Sequence, residues 1–161
     1  MQTLTKNVEI VLDTHAIREI LLDTSNEQLN KILDTIKKKC HTLVIPRLRS
    51  EHRVRLDFTQ FLQLATKFRT ILRGKFIPDA EPEKRPPREL IESLREEGAD
   101  NGDIIIASVA YRRARKTKRK ALIVSDDKCF HQGTPFLRTY GIEVMYVTEF
   151  LRTITEQQSS T

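Results

Sequence analysis

The sequence predicts an α/β fold, a three-layer α/β/α arrangement with a central parallel sheet of four to five strands. Short β-branched apolar runs at 8–12, 42–45, 121–124 and 142–147 alternate with stretches of helical spacing. Such alternation builds parallel sheets covered on both faces. Acidic residues directly follow two of these runs, at Asp13 and at Asp126-Asp127. In an open parallel sheet the strand C-terminal ends share one edge, and that edge carries the ligand site.

The first run, 8–12, is a strand. Asp13-Thr14 then caps a helix whose apolar positions are Ala16, Ile17, Ile20 and Leu21. Ser25-Asn26-Glu27 opens a second helix through Leu29, Ile32, Leu33 and Ile36. It ends on Lys37, Lys38 and Lys39, cations suited to the negative end of the helix dipole. After the strand at 42–45, Pro46 is placed to open the first turn of a long helix. Val54, Phe58, Phe61, Ala65, Phe68 and Leu72 mark one face of it. Core packing is the plain reading of that stripe and a helix–helix dimer contact the sharper one. Residues 75–87 read as a Pro-rich excursion, opened by Gly74 and kept from regular helix by Pro78, Pro82, Pro86 and Pro87. Helix resumes over 88–97, and a turn at 98–103 leads into an apolar helix over 104–114. Strands at 121–124 and 142–147 complete the sheet, and Thr148 caps a last helix. One domain is expected over 1–155, with a frayed tail at 156–161.

Composition bounds the function. The 161 residues suffice for a substantial core, and 39% are apolar against 31% charged. No apolar run approaches the about 18 residues of a membrane span. Residues 1–9 contain no apolar signal core, so a cytoplasmic protein without membrane contact is expected. Cys40 and Cys129 lack any finger or scaffold spacing and read as ordinary thiols. Lys and Arg total 28 against 22 Asp and Glu, a net charge of +6. That balance favours polyanionic partners.

Against this basic background, four acids are expected on one sheet edge. Asp13 and Asp127 come after strands, with Asp126 as the alternate to Asp127. Glu51 lies about a turn into the helix after the second strand, and Asp103 opens the apolar helix. Carboxylates gathered so closely repel one another unless a cation neutralises them. Hard divalent ions such as Mg²⁺ take oxygen ligands, and they can activate water against a phosphate. Each acid also has a local alternative. Asp13 can cap its helix, and Asp103 can partner a cap begun by Asp100. Glu51 can pair with Arg47 or Arg55, and Asp126 or Asp127 can cap a turn.

These motifs carry a resemblance. Val11-Leu12-Asp13-Thr14-His15-Ala16-Ile17 resembles the opening motif of PIN-domain proteins, and Arg49-Ser50-Glu51 matches the place of their second acid. Gly98-Ala99 and then Asp103 to Ala110 resemble the third motif. Leu122-Ile123-Val124-Ser125-Asp126-Asp127-Lys128-Cys129-Phe130 resembles the fourth, and the spacing to Phe130 selects Asp127. The similarity runs through nearly the whole chain. It departs in the length of the 75–87 excursion and in the doubled Asp126-Asp127. The resemblance implies a Mg²⁺- or Mn²⁺-dependent ribonuclease with Asp13, Glu51, Asp103 and Asp127 as metal and catalytic acids and Ser125 as a polar neighbour on the substrate side. It also implies 5′-phosphate and 3′-hydroxyl products, and admits an antitoxin or other protein partner and a homodimer. A non-catalytic RNA-binding or scaffold module of the same fold and a structure-specific DNA nuclease are the alternatives. A receiver domain is disfavoured, because it needs its acid pair after the first strand. A phosphatase with an Asp-x-Asp nucleophile is disfavoured because position 15 is His.

For substrate contacts, Arg49 and Arg53 flank Glu51 at the expected edge, and His15 and His52 lie near it. The densest basic run, 112–120, holds seven Lys or Arg in nine positions. It lies at the far end of the helix that Asp103 begins, roughly 18 Å away at about 1.5 Å per residue. It therefore reads as a solvated helix end near the opposite edge, open to a long RNA or a partner.

Overall fold

In a computed structural model that describes residues 4–47 and 58–159, five parallel strands form one sheet. They are β1 (Glu9–Leu12), β2 (Thr42–Pro46), β3 (Phe76–Ala80), β4 (Ala121–Val124) and β5 (Ile142–Met145), in the order β3-β2-β1-β4-β5. The chain winds outward from β1 through β2 to β3, then returns to place β4 on the other side of β1. The direction of winding reverses between β1 and β4, where Leu12 lies opposite Val124. A crevice forms at such a reversal, beyond the strand C-termini.

β1, β2 and β4 are buried on both sides, and alternate side chains of the sheet feed two separate cores. Ile10, Leu12, Leu43, Ile45, Leu122 and Val124 face one layer. That layer contains α1 (Thr14–Ile17) with the π-helical turn Arg18–Leu22, α2 (Asn26–Lys38), α3 (Phe58–Leu72) and α8 (Val147–Ser159). Val11, Val44, Ala121, Ile123, Ile142 and Val144 face the other layer. It contains α4 (Arg88–Glu96), α5 (Asn101–Thr117), α6 (Lys128–Gln132) and α7 (Thr134–Arg138). This is the expected three-layer α/β/α arrangement. Phe61, Ala65, Phe68 and Leu72 of α3 are buried, so this part of the stripe packs into the core, while Val54 lies outside the described residues; Phe68 meets Phe76 edge-on at 5.4 Å. No described helix is long and apolar enough to cross a membrane.

Three local expectations change. The 75–87 excursion contains a strand: a 3₁₀ turn at Arg73–Lys75 delivers the chain into β3. Pro78 masked that strand, yet β3 is an edge strand, where proline is tolerated because a missing N–H costs no central ladder bond. Pro46 ends β2 and does not begin a helix. The last helix continues to Ser159, into the stretch expected to be a tail.

α5 is tied to the sheet away from the acids. Glu9, the first residue of β1, is wholly buried, and its Oε1 accepts from Arg113 Nη2 at 2.7 Å and Nε at 2.8 Å. Breaking one partner of such a buried pair costs far more than the pair contributes net. Nearby, His41 is also wholly buried and its Nδ1 accepts the Val8 backbone N–H at 3.1 Å. Burial, reinforced by Lys39, lowers the His41 pKa to about 4. The folded chain therefore resists a proton that the unfolded chain accepts. Stability is complete above the unfolded value of 6.5 and falls as pH drops through 4, by roughly 3 kcal/mol from this group. Urea titrations across that range should show the loss in the wild type and a flatter profile in His41→Gln. An NMR midpoint for His41 near 6.5 would refute this account.

Candidate active site

The crevice between β1 and β4 gathers carboxylates because each is held by its own backbone neighbourhood. Asp13 extends β1 by one ladder bond, its N–H donating to the Val124 carbonyl at 3.2 Å. It then caps α1, its Oδ1 accepting the Ala16 N–H at 2.8 Å. Across the crevice, β4 runs into Ser125, which is fully buried. The Ser125 hydroxyl accepts the Asp127 N–H at 3.0 Å and hydrogen-bonds to the Asp13 carboxylate. One hydroxyl thus ties the acid after β1 to the acid after β4. Ser125, expected on the substrate side, is internal and holds the acids in place.

Asp103 arrives from the other layer. It is the third residue of α5 and forms a reciprocal capping box with Asp100. The Asp103 N–H donates to Asp100 Oδ1 at 2.9 Å, and the Asp100 N–H donates to Asp103 Oδ2 at 3.1 Å. Asp100 is therefore the cap that its sequence position suggests. The local alternatives for Asp13 and Asp103 are real, and they coexist with a shared site: capping fixes each carboxyl while leaving it aimed into the crevice.

Ligand atoms of Asp103, Asp127 and Cys129 lie within 4.8 Å of one another. Two carboxylate charges at about that separation repel by roughly 3 kcal/mol at an effective dielectric near 20. The repulsion appears in the protonation. Burial, and then the hydrogen bond with Asp127, raise the Asp103 pKa to about 7. Burial is also the main cause of a raised pKa at Asp13, with the Asp127 charge adding to it and the Ser125 and Ala16 hydrogen bonds opposing it. Among the described residues, no lysine or arginine forms an ion pair with Asp13, Asp103 or Asp127.

The doubled aspartates divide. Asp127 turns to Asp103. Asp126 Oδ1 accepts the Val147 N–H at 3.0 Å at the start of α8, and a ligand atom of Asp126 lies within 4.8 Å of His15 and Glu19. His15 and Glu19 form their own pair at 2.6 Å. Glu51, Arg49 and Arg53 lie outside the described residues. Among the described residues, Arg47 pairs with Asp79, at 3.2 Å, and Glu81, at 3.0 Å.

Sequence reading missed two members of this neighbourhood. Cys129 is buried on the first turn of α6, where burial and the Asp103 and Asp127 charges push its thiol up to about 12. At neutral pH it is a neutral hydrogen-bonding neighbour of Asp103. Its position two residues after Asp127 was the available signal. His131 stacks on Tyr146 at 3.5 Å with planes 5° apart, and its Nε2 lies 2.7 Å from the Ser125 carbonyl. That contact needs the pairing of β4 with β5, which local spacing does not encode.

Fold and site together define a three-layer α/β/α protein with a carboxylate centre at the C-terminal edge of its sheet that no described lysine or arginine pairs. No family model and no curated protein matches the chain. Among solved structures, the crystal structure of FitAcB from Neisseria gonorrhoeae is similar over 86% of this chain and 98% of that one, at 15% identity and a TM-score of 0.44.

The donor set fits a hard divalent cation: carboxylate oxygens beside a neutral thiol, with an electrostatic deficit that one ion would relieve. Asp103→Asn keeps the capping acceptor and removes one repelling charge. Asp103 holds its proton longer when folded, so its favourable contribution is complete below 3.8 and lost as pH rises through about 7. At pH 8 without metal, Asp103→Asn should therefore melt a few degrees above the wild type, and Mn²⁺ should raise the melting temperature of the wild type alone. A variant that melts lower would contradict this description.

Proposed function

We propose that the chain is a metal-dependent nuclease that hydrolyses phosphodiester bonds of single-stranded RNA, with Asp13, Asp103 and Asp127 as ligands of Mg²⁺ or Mn²⁺. The observation that carries this is the convergence of three acids, two of them buried, on the reversal point of the sheet, with no lysine or arginine among the described residues paired to them. Such an arrangement is unfavourable by itself and becomes favourable with a divalent ion. The four sequence motifs point the same way, and Glu51 is proposed as a fourth acid on their strength.

When bound, the ion supplies positive charge for the scissile phosphate and lowers the pKa of water. The chain's own residues set the geometry. Asp13 is fixed by Ala16 and Ser125, and Asp103 by Asp100. Asp127 is fixed through its backbone to Ser125. With Asp103 ionised the centre is ready for the ion; with Asp103 protonated it is not. Activity should therefore rise with pH through about 7. Tyr146, 44% exposed and backed by His131, offers a flat surface on which a base can stack near the centre.

Asp13→Asn keeps an acceptor for the Ala16 N–H, so it should fold normally yet lose cleavage. Labelled single-stranded RNA and DNA oligonucleotides incubated with Mn²⁺ would measure this. Wild-type cutting of RNA, with none in the variant or in EDTA, is the expected pattern. RNA cleavage that persists in either would refute the proposal, and preferential cutting of DNA would reassign the substrate.

A further inference from the structure

The basic run at 112–120 is not used by the carboxylate centre, and the structure divides it. Arg113 and Arg119 turn toward Glu9, Arg119 at 3.9 Å, and Lys120 lies 3.9 Å from Glu143. Arg112, Arg115 and Lys116 occupy another face of α5, at the i, i+3 and i+4 positions that bring side chains together. With Glu83 and Lys84 from the loop after β3 they line an open recess of about 500 Å³. The loop is fastened to the helix: the Glu83 N–H donates to the Ser108 carbonyl at 3.2 Å, and Arg112 Nη1 donates to the Pro82 carbonyl at 3.4 Å. Arg112 also approaches Glu81 at 3.9 Å. Lys84, Arg115 and Lys116 have no ion-pair partner among the described residues.

The C-terminal dipole of α5 accounts for cations on its own last turn. It does not account for Lys84, which a separate segment holds over the same hollow. The recess thus gathers four cations around a single acid. We propose that it binds the sugar–phosphate backbone of single-stranded RNA, as a holding site remote from the cut. The lining chooses between partners. Protein interfaces have cores depleted of charge and rich in aromatic or aliphatic anchors, whereas every residue lining this recess is charged. With no aromatic ring to stack a base, it reads phosphate and not sequence. Asp103 and Lys116 are thirteen residues apart on one helix, about 20 Å. A strand stacked at about 3.4 Å per nucleotide covers that distance in roughly six nucleotides and an extended one in fewer, while the three phosphates of a tetranucleotide reach one site only.

The phosphate-binding claim stands on the recess itself, while its role as a holding site rests on the nuclease reading. The test compares the wild type with a Lys84→Ala/Arg115→Ala/Lys116→Ala variant, which leaves Arg112 and the loop attachments intact. Anisotropy with labelled oligouridylates of four and fifteen nucleotides, in EDTA over a salt series, measures binding. The variant should bind the 15-mer roughly tenfold more weakly at 0.1 M salt, with a salt slope shallower by about two, and should also bind the 4-mer more weakly, since without metal the recess is the phosphate site. In Mn²⁺ it should cut the 4-mer as the wild type does and the 15-mer with a raised KM. Equal 15-mer slopes would overturn the inference, whether or not RNA is cut. A shallower slope in a protein that cuts neither oligonucleotide would retain the recess and discard the nuclease. Tighter binding of polyglutamate than of the 15-mer, lost in the variant, would reassign the recess to an acidic protein partner. A Lys84→Glu variant, altered only in the loop, should shift the 15-mer in the same direction; no shift would remove Lys84 from the site.

Discussion

Mutual repulsion between carboxylates brought together at the ends of parallel strands is the constraint around which the molecule is arranged. The topology creates it: β1 and β4 lie side by side and end together, so the residues just beyond their ends become neighbours in space. The surrounding structure holds these groups against their tendency to separate or to stay protonated. Helix caps do most of this. Backbone N–H groups at helix starts stabilise negative charge and fix its direction with short, stiff hydrogen bonds. The Ser125 hydroxyl, shared between Asp13 and Asp127, removes the freedom that would let the two strand-end acids move apart.

α5 crosses the molecule from this centre to the opposite edge and is fastened at both ends. The Asp100–Asp103 box secures its start and the Arg113–Glu9 pair its later turns. Between them Ala107, Val109 and Ala110 are buried, so small side chains bring the helix close to β1, β2 and β4. A buried ion pair is weak evidence of stability, and its best-attested use is to fix registry. A slip of α5 by one residue would withdraw Asp103 from Asp127 and Arg113 from Glu9 together. The geometry of the carboxylate centre and the packing of the core are thereby coupled through one rigid element.

Much of the fold was legible because strand and helix periods differ and this chain keeps them distinct. Val11 and Val44 face one core while Ile10, Leu12, Leu43 and Ile45 face the other, as a period of two requires. β3 was not legible: Pro78 and a nearby proline-rich loop present the local chemistry of irregular chain, and only the position at the sheet edge makes a strand acceptable. The gathering of Asp13, Asp103 and Asp127 could be inferred from topology plus strand ends. The separate duties of Asp126 and Asp127 could not, because they depend on where α8 begins. Cys129 and the Tyr146–His131 stack were hidden for the same reason: their partners come from other elements. Local pattern records what a residue does to its own backbone, and a site is assembled from what remains.

The edge strand β3 carries a consequence for self-association. An open sheet invites another chain to add itself along the free row of amides and carbonyls. Here that row includes Pro78, which has no hydrogen to offer, and then the charged Asp79 with Glu81 just beyond, both engaged with Arg47. An incoming strand would find an interrupted ladder and a hydrated ionic cluster in its path. Growth of a continuous sheet through this side is therefore disfavoured, which directs any pairing of two copies toward helical surfaces or the far strand and protects the folded chain from fibril-like stacking.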